Sequence, residues 1–510
     1  MEFFKDIEET KREVLKTIEN PSITYEQVTS RLAKIAENQI PYPNSLDKDF
    51  FKLAEKEIIC DLDEGHAPYA PRYILPDYEK LMKEGCEFLR LSAPQNLTEA
   101  INSLLIFYHH VPSVTRYPVY IGSIDKLLDP FIEEEKSARE QIKWFLIHLD
   151  RTINDSFCHA NIGPEETLAG NLIIELTKEL ENVTPNMTLL YDEEKTSEIF
   201  AKKCIDSSLI SANPAFANDK MFRRDFQGDY GIASCYNGLP IGGGAFTLSR
   251  LRLNKIADNS KDIDDFFTNI LPQSIDLMCN FMERKIKFLV KKTPFFENNF
   301  LAKEGFIDID RFVGLFGLVG MHECVNKLMG FKNKTYRYGR DKEANDLGIE
   351  IMDLILARVN SFESKYSKFW DNRFMLHSQV GAANDKDTTA GVRIKIGEEI
   401  PIYDHLRQAG LFHKYFPSGI GDHFPFDYTA KTNPQAVLDL FKGSFKSGMR
   451  YISAYPEDGD LIRVSGYLVK KSDLEDFRNG IQISYDTVQY AKDAVVDYGV
   501  LDRLVRNTND

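Results

Sequence analysis

Leu461-Ile-Arg-Val-Ser-Gly-Tyr-Leu-Val469 sets one glycine inside an otherwise strand-like run. The β-branched and aromatic residues on either side favour extended backbone. A glycine within such a pattern marks a bulge or a close backbone approach. The flanks are short, well-punctuated elements. Upstream, Asn433-Pro434 reads as an N-cap and a first helical residue, which predicts a helix over 434–446. A strand is expected over 449–454, and Pro456-Glu-Asp-Gly459 supplies turn residues. Downstream, Ser472-Asp-Leu-Glu475 has the spacing of a capping box, and Asn479-Gly480 ends the helix it opens. The glycine therefore occupies a short extended or looped segment between two helices.

Two more segments stand out. Gly231-Ile-Ala-Ser-Cys235-Tyr-Asn-Gly-Leu-Pro-Ile-Gly-Gly-Gly-Ala-Phe-Thr-Leu-Ser-Arg250 places one cysteine in a short loop ahead of a glycine-rich strand. Taken alone, such a cysteine is most often a small buried hydrophobe. Phe316-Gly-Leu-Val-Gly-Met-His-Glu-Cys-Val-Asn-Lys-Leu-Met-Gly330 is a glycine-rich lead-in to a helix. Elsewhere beyond residue 100, helical stretches alternate with strand-like runs. Examples are a helix over 262–292 interrupted near Pro272 and a strand around Tyr451-Ile452-Ser453. That alternation favours an α/β architecture with a buried sheet. Residues 1–100 read mostly as helix, with Phe3, Phe4, Ile7, Val14, Leu15 and Ile18 at helical spacing. Asn20-Pro21 and the Pro/Tyr-rich stretch over 66–78 break the pattern. They are expected to form a helical cap packed on a main body over 101–510.

Composition narrows the function. The 510 residues carry 63 Lys+Arg against 78 Asp+Glu, a net charge of −15, which argues against nucleic acid or an anionic membrane as partner. Hydrophobic content of 43% suits a packed globular chain. The seven cysteines, at 60, 86, 158, 204, 235, 279 and 324, are odd in number and scattered. They read as free thiols in a reducing, cytoplasmic setting. There is no C-x-x-C, no apolar signal core and no run long enough to span a bilayer.

Arg463-Val-Ser-Gly-Tyr467 resembles the R-V-x-G-Y radical loop of the glycyl radical enzymes, and Gly466 stands 44 residues from the C-terminus, where that family keeps it. Four fixed residues arise by chance in a chain of this length at roughly 0.3%. The competing reading is a plain tight turn that needs glycine for its backbone angles. The family carries its thiyl cysteine in a mid-chain loop, and Cys235 precedes Gly466 by 231 residues. The 316–330 block and the stretch after Cys235 resemble anaerobic ribonucleotide reductases. The blocks Ser234-Cys-Tyr-Asn-Gly-Leu-Pro-Ile-Gly-Gly-Gly244 and Phe416-Pro-Ser-Gly-Ile-Gly-Asp-His-Phe-Pro-Phe-Asp427 look most like the YjjI family of glycyl radical enzymes.

The resemblance implies a ten-stranded α/β barrel of two half-barrels with peripheral helices, the Cys and Gly loops meeting at its centre. It implies that Gly466 stores a radical and that Cys235 relays it to a small polar organic substrate. No bound cofactor beyond that radical is expected. S-adenosylmethionine and an Fe–S cluster belong to a radical S-adenosylmethionine activating enzyme, the implied partner. Activation requires the C-terminal loop to swing out, with Pro456 and Gly459 as hinge positions. A homodimer is implied as well. The residue types fit the chemistry. A glycine Cα radical lies between a donor nitrogen and an acceptor carbonyl, and it flattens freely without a side chain. A thiol S–H bond is close enough in strength to exchange a hydrogen atom with it, provided the two loops touch.

Departures from the family narrow the reaction. Ser234 stands where pyruvate formate-lyase has a second cysteine, so acyl transfer by the two-cysteine route is disfavoured. Asn237 stands where diol-type members place a glutamate, so that base is missing. No cysteine follows 324, so the C-terminal zinc site of anaerobic ribonucleotide reductases is not expected. Further candidate contacts are Glu323 as base or ligand, His423 with Asp422 and Asp427 along a pocket, and Tyr467. Arg463 is read either as a contact to the activator or as a loop anchor through an ion pair. His109-His110 lacks a third ligand, and Gly242-Gly-Gly244 fits no phosphate loop. A ribonucleotide-reductase-like activity and a non-catalytic barrel protein are the alternatives.

Overall fold

The computed structural model describes residues 7–43, 46–61, 68–155, 157–378, 388–464 and 466–485. Phe3, Phe4, Ser465 and the start of the 66–78 stretch lie outside them. In chain order the strands are β1 (Ile59–Asp61), β2 (Tyr73–Leu75), β3 (His159–Ile162), β4 (Asn186–Tyr191), β5 (Ala215–Asn218), β6 (Tyr230–Ala233), β7 (Asn237–Pro240), β8 (Gly243–Arg252), β9 (Phe312–Val319), β10 (Met375–Ser378), β11 (Asp422–Phe426), β12 (Tyr451–Pro456), β13 (Leu461–Val464) and β14 (Tyr467–Lys470).

Two five-stranded sheets form the half-barrels. In one, β3, β4 and β5 run parallel, joined by the helices Leu168–Leu180 and Glu198–Ser211. β12 pairs antiparallel with β5 and parallel with β11. In the other, β8, β9 and β10 run parallel, with the helix Leu271–Lys292 between the first two. Every residue of β8 and β9 is buried. Strands covered on both faces read as continuous apolar runs, which is how β9 reads. The first hundred residues are largely helical, yet β1 and β2 both pair antiparallel with β8 and so enter the sheet.

Several local expectations are met and two are changed. The helix Pro434–Lys446 is capped by the Asn433 side chain, which accepts from Ala436 N. The strand expected over 449–454 runs Tyr451–Pro456. A π-helical segment over Phe266–Ile270 leads without a break into the helix Leu271–Lys292, and it lies directly before Pro272, which has no amide hydrogen to give to the helical ladder. The capping box at Ser472 does not form. The helix Lys471–Arg478 continues straight from β14, and the Ser472 amide and hydroxyl both donate to the Asp460 carboxylate across the hairpin.

Two small hairpins complete the centre, β6–β7 and β13–β14. The second packs its own apolar cluster, with Leu461, Ile462, Val464, Leu468 and Val469 against Tyr455 and Leu474, apart from the main core.

Candidate active site

Cys235 and Gly466 occupy the tips of those two hairpins. In β6–β7, Ala233 pairs with Asn237 and a three-residue loop, Ser234-Cys235-Tyr236, closes the turn. Ser234, the first residue of the loop, takes the left-handed conformation (φ +59°). In β13–β14, Val464 pairs with Tyr467, leaving a two-residue tip that contains Gly466 at φ +116°. Two-residue hairpins need positive φ at the tip, so glycine is favoured there before any chemistry is considered. The tips touch. A methyl group built on Gly466 lies 2.6 Å from Cys235 Cβ and 2.9 Å from the Tyr236 ring. Both positions are buried, Cys235 with 4% of its surface exposed.

A polar sheet face holds the tips in place. His159 and Asn186 are register partners on β3 and β4, as are Asn161 and Thr188. Asn161 closes against β6 by accepting from Ile232 N and donating to Ile232 O. His159 Nδ1 donates to Ser234 O at 2.8 Å. Its Nε2 then has to accept, from the Thr188 hydroxyl at 2.7 Å. Burial drives the His159 pKa down to about 3, so the ring is neutral. The Tyr451 hydroxyl donates to Cys235 O at 3.1 Å. The Asn186 side-chain nitrogen spans both loops, 2.7 Å from Gly466 O and 3.5 Å from Ser234 O.

Burial also sets the state of the thiol, raising the Cys235 pKa to about 11. Its side-chain hydrogen-bond partner is Asn237 Oδ1 at 3.9 Å, which accepts. Cys235 is therefore a neutral S–H rather than a thiolate at physiological pH. The Asn237 amide nitrogen is buried and has no hydrogen-bond partner among the described residues.

The other candidates separate into near and far. His423 lies near: its ring stacks 6.2 Å from Tyr236. Arg393 Nη2 faces His423 Nε2 at 3.0 Å, and arginine only donates, so His423 carries its proton on Nδ1 toward Ser453 Oγ. Asp422, the preceding residue of β11, faces His413 at 3.2 Å, His405 at 3.7 Å and Arg393 at 4.0 Å. Tyr467 is buried, its ring packed edge-to-face with Phe157 at 5.3 Å between centroids. Arg463 is 1% exposed and donates to Ala212 O at 2.7 Å, Gly466 O at 3.4 Å and Asn213 Oδ1 at 3.4 Å. It makes no ion pair among the described residues, which corrects that expectation. Glu323 serves elsewhere: its carboxylate binds the amide and hydroxyl of Thr389, clamping the loop at the start of the helix Met321–Phe331. Asp427 caps the short helix Tyr428–Lys431. His109 and His110 lie exposed on the surface.

Sequence reasoning missed His159, Asn186, Thr188, Tyr236 and Tyr451. One signal was present: polar residues at every second position of β3 and the start of β4 mark one polar sheet face.

A family profile described as "Glycyl radical enzyme YjjI-like" matches residues 23–506. The chain is 43% identical over 505 residues to an uncharacterized protein of Haemophilus influenzae, covering 98% of each. It is 41% identical over 469 residues to the uncharacterized protein YjjI of Escherichia coli, covering 90% and 89%. In fold it is similar to the anaerobic ribonucleotide reductase from Thermotoga maritima in complex with dATP and CTP (TM-score 0.70, 12% identity, 94% of both chains). It is also similar to hydroxyproline dehydratase from Clostridioides difficile (TM-score 0.62, 12% identity, 92% and 88%).

Proposed function

The chain belongs to the YjjI-like glycyl radical enzyme family, and from that premise we propose that Gly466 stores the radical and Cys235 transmits it to a small polar organic substrate. The observation that carries this reading is the contact between the two hairpin tips, 2.6 Å from a built Gly466 methyl to Cys235 Cβ. Hydrogen-atom transfer needs that proximity. The hydrogen leaves Cys235 Sγ and bonds to the Gly466 Cα radical, so S–H breaks, Cα–H forms and no net charge moves. The thiyl then takes a hydrogen atom from a substrate C–H bond and returns one after the substrate rearranges. A thiol kept protonated by burial suits this role. Dense packing around both tips keeps out water and oxygen.

The same reading assigns the partner. A radical S-adenosylmethionine activating enzyme removes the first hydrogen, and the β13–β14 hairpin moves out about Pro456 and Gly459, parting from Val183, Ala212 and Tyr455, against which it packs. Asn237, His423 and Tyr467 are contacts of the substrate or the loop, with the unpartnered Asn237 amide nitrogen donating to a substrate oxygen.

The test is activation in anaerobic Escherichia coli lacking its own YjjI, followed by electron paramagnetic resonance. The expected signal is a doublet from the remaining α-hydrogen, absent in Gly466→Ala. In D2O the thiol deuterium passes to Gly466 and the doublet collapses, but it persists in Cys235→Ser. A doublet that collapses equally in Cys235→Ser would remove Cys235 from the pathway. Absence of any signal in the wild type would favour a non-catalytic barrel.

A further inference from the structure

The Gly466 carbonyl oxygen accepts from two side chains, Asn186 Nδ2 at 2.7 Å and Arg463 Nη1 at 3.4 Å. Two donors match the two lone pairs of a carbonyl. Arg463 is unusual for a cation in a protein interior. Among the described residues its acceptors are the Ala212 carbonyl, the Gly466 carbonyl and the Asn213 amide oxygen, with the Tyr451 hydroxyl oxygen beside them, all neutral. A buried charge without a counter-ion is costly. Ordinary loop anchoring does not require that cost, because a neutral donor would hold the same carbonyls.

We infer that Arg463 and Asn186 set the stability of the radical on Gly466 by holding a cationic and a neutral donor on its carbonyl oxygen, an inference that rests on Gly466 being the radical site. A planar Cα radical between an amide nitrogen and a carbonyl is stabilised when electron density shifts from nitrogen to oxygen. That shift places partial negative charge on the Gly466 oxygen, where the guanidinium and the Asn186 amide meet it. In the closed-shell glycine the same oxygen carries only ordinary carbonyl polarity. The two donors therefore bind the radical state more strongly than the resting state, which is differential stabilisation. In the exchange Cα• + H–S → Cα–H + •S, they bias the equilibrium toward the glycyl side, so the radical rests on Gly466 until substrate draws it onto Cys235. Asn186 has a second task. Its amide also reaches Ser234 O, so the donor that polarises one loop also ties it to the other.

The experiment uses the full chain, anaerobically activated in Escherichia coli and labelled with glycine carrying carbon-13 at the carbonyl. Arg463→Met keeps bulk and removes charge; Arg463→Lys keeps charge and loses the fork. Relative to wild type, Arg463→Met is expected to shift the carbonyl-13C splitting and shorten the radical lifetime about tenfold, the low end for a charged hydrogen bond, with Arg463→Lys restoring most of both. A folded Arg463→Met that accumulates no radical while Arg463→Lys does is the same result in stronger form. Wild-type splitting and lifetime in Arg463→Met would overturn the inference, as would equal loss of radical in both variants with hairpin packing intact. Should Arg463→Met disturb that packing, Asn186→Ser decides: a lifetime several-fold shorter supports the inference and an unchanged one overturns it. Failure of the wild type itself to show a doublet counts against the radical site, not against the donor pair.

Discussion

Replacing Gly466 with alanine tests the contact between the loops without any radical. The new methyl meets Cys235 Cβ at 2.6 Å and the Tyr236 ring at 2.9 Å and 3.1 Å, distances that force something to move. The neighbour at 2.6 Å is a first side-chain carbon, so the hairpin tips themselves have to separate. Overpacking of this kind costs about 1–3 kcal/mol. The φ of +116° adds about 1–2 kcal/mol for a residue with a Cβ. The expected loss is about 3 kcal/mol. It falls on local opening of β13–β14, because that hairpin packs its own cluster apart from the main core. At about 1.4 kcal/mol per factor of ten, amides of Leu461–Val464 and Tyr467–Lys470 should exchange about 100-fold faster. Hydrogen-exchange mass spectrometry at neutral pH under argon reads this directly. Gly480→Ala is the control: φ is +77°, but the built methyl meets only Ser22 Oγ at 3.9 Å. It should accelerate exchange about tenfold or less. Equal protection of β13–β14 in wild type and Gly466→Ala would refute the packing of Gly466 against Cys235.

Two further outcomes follow from the electrostatics. With its pKa raised to about 11 by burial, Cys235 should be alkylated by iodoacetamide far more slowly than the half-exposed Cys60, and peptide mass spectrometry after partial labelling at pH 8 ranks them; early labelling of Cys235 would contradict a sealed site. His159 has a folded pKa of about 3 against 6.5 unfolded, so its contribution is intact above pH 6.5 and is lost as pH falls below it, when only the unfolded chain takes the proton. Between pH 7 and pH 5 wild type should lose about 2 kcal/mol more than His159→Gln in urea unfolding; identical pH profiles would show that the ring is not held neutral. Asp125 has the opposite slope, its pKa raised to about 7 by burial, so the difference between the two proteins, not the wild-type curve alone, carries the result.

The site was legible where its chemistry is local. Gly466 needs positive φ at a hairpin tip and room for no side chain, and both demands are written into a run of five residues. The helix Pro434–Lys446 was equally legible, because Asn433 and Pro434 act on adjacent backbone groups. Ser472 misled because Asp460, twelve residues earlier, reached the helix start across a hairpin. Glu323 misled for a similar reason: its partner Thr389 lies 66 residues away.

The short motifs around Cys235 and Gly466 thus pointed to the family, and the apolar patterning to the layered α/β plan, since each rests on near neighbours in the chain. Only the tertiary structure decided what surrounds those two residues. His159 finds Ser234 across 75 residues, and Asn186 finds Gly466 across 280. A histidine or asparagine in a strand looks the same in sequence whether it faces water or an interior loop. The difference arises only when the polar face of β3 and β4 packs against the Cys235 and Gly466 loops and burial makes each donor seek an acceptor.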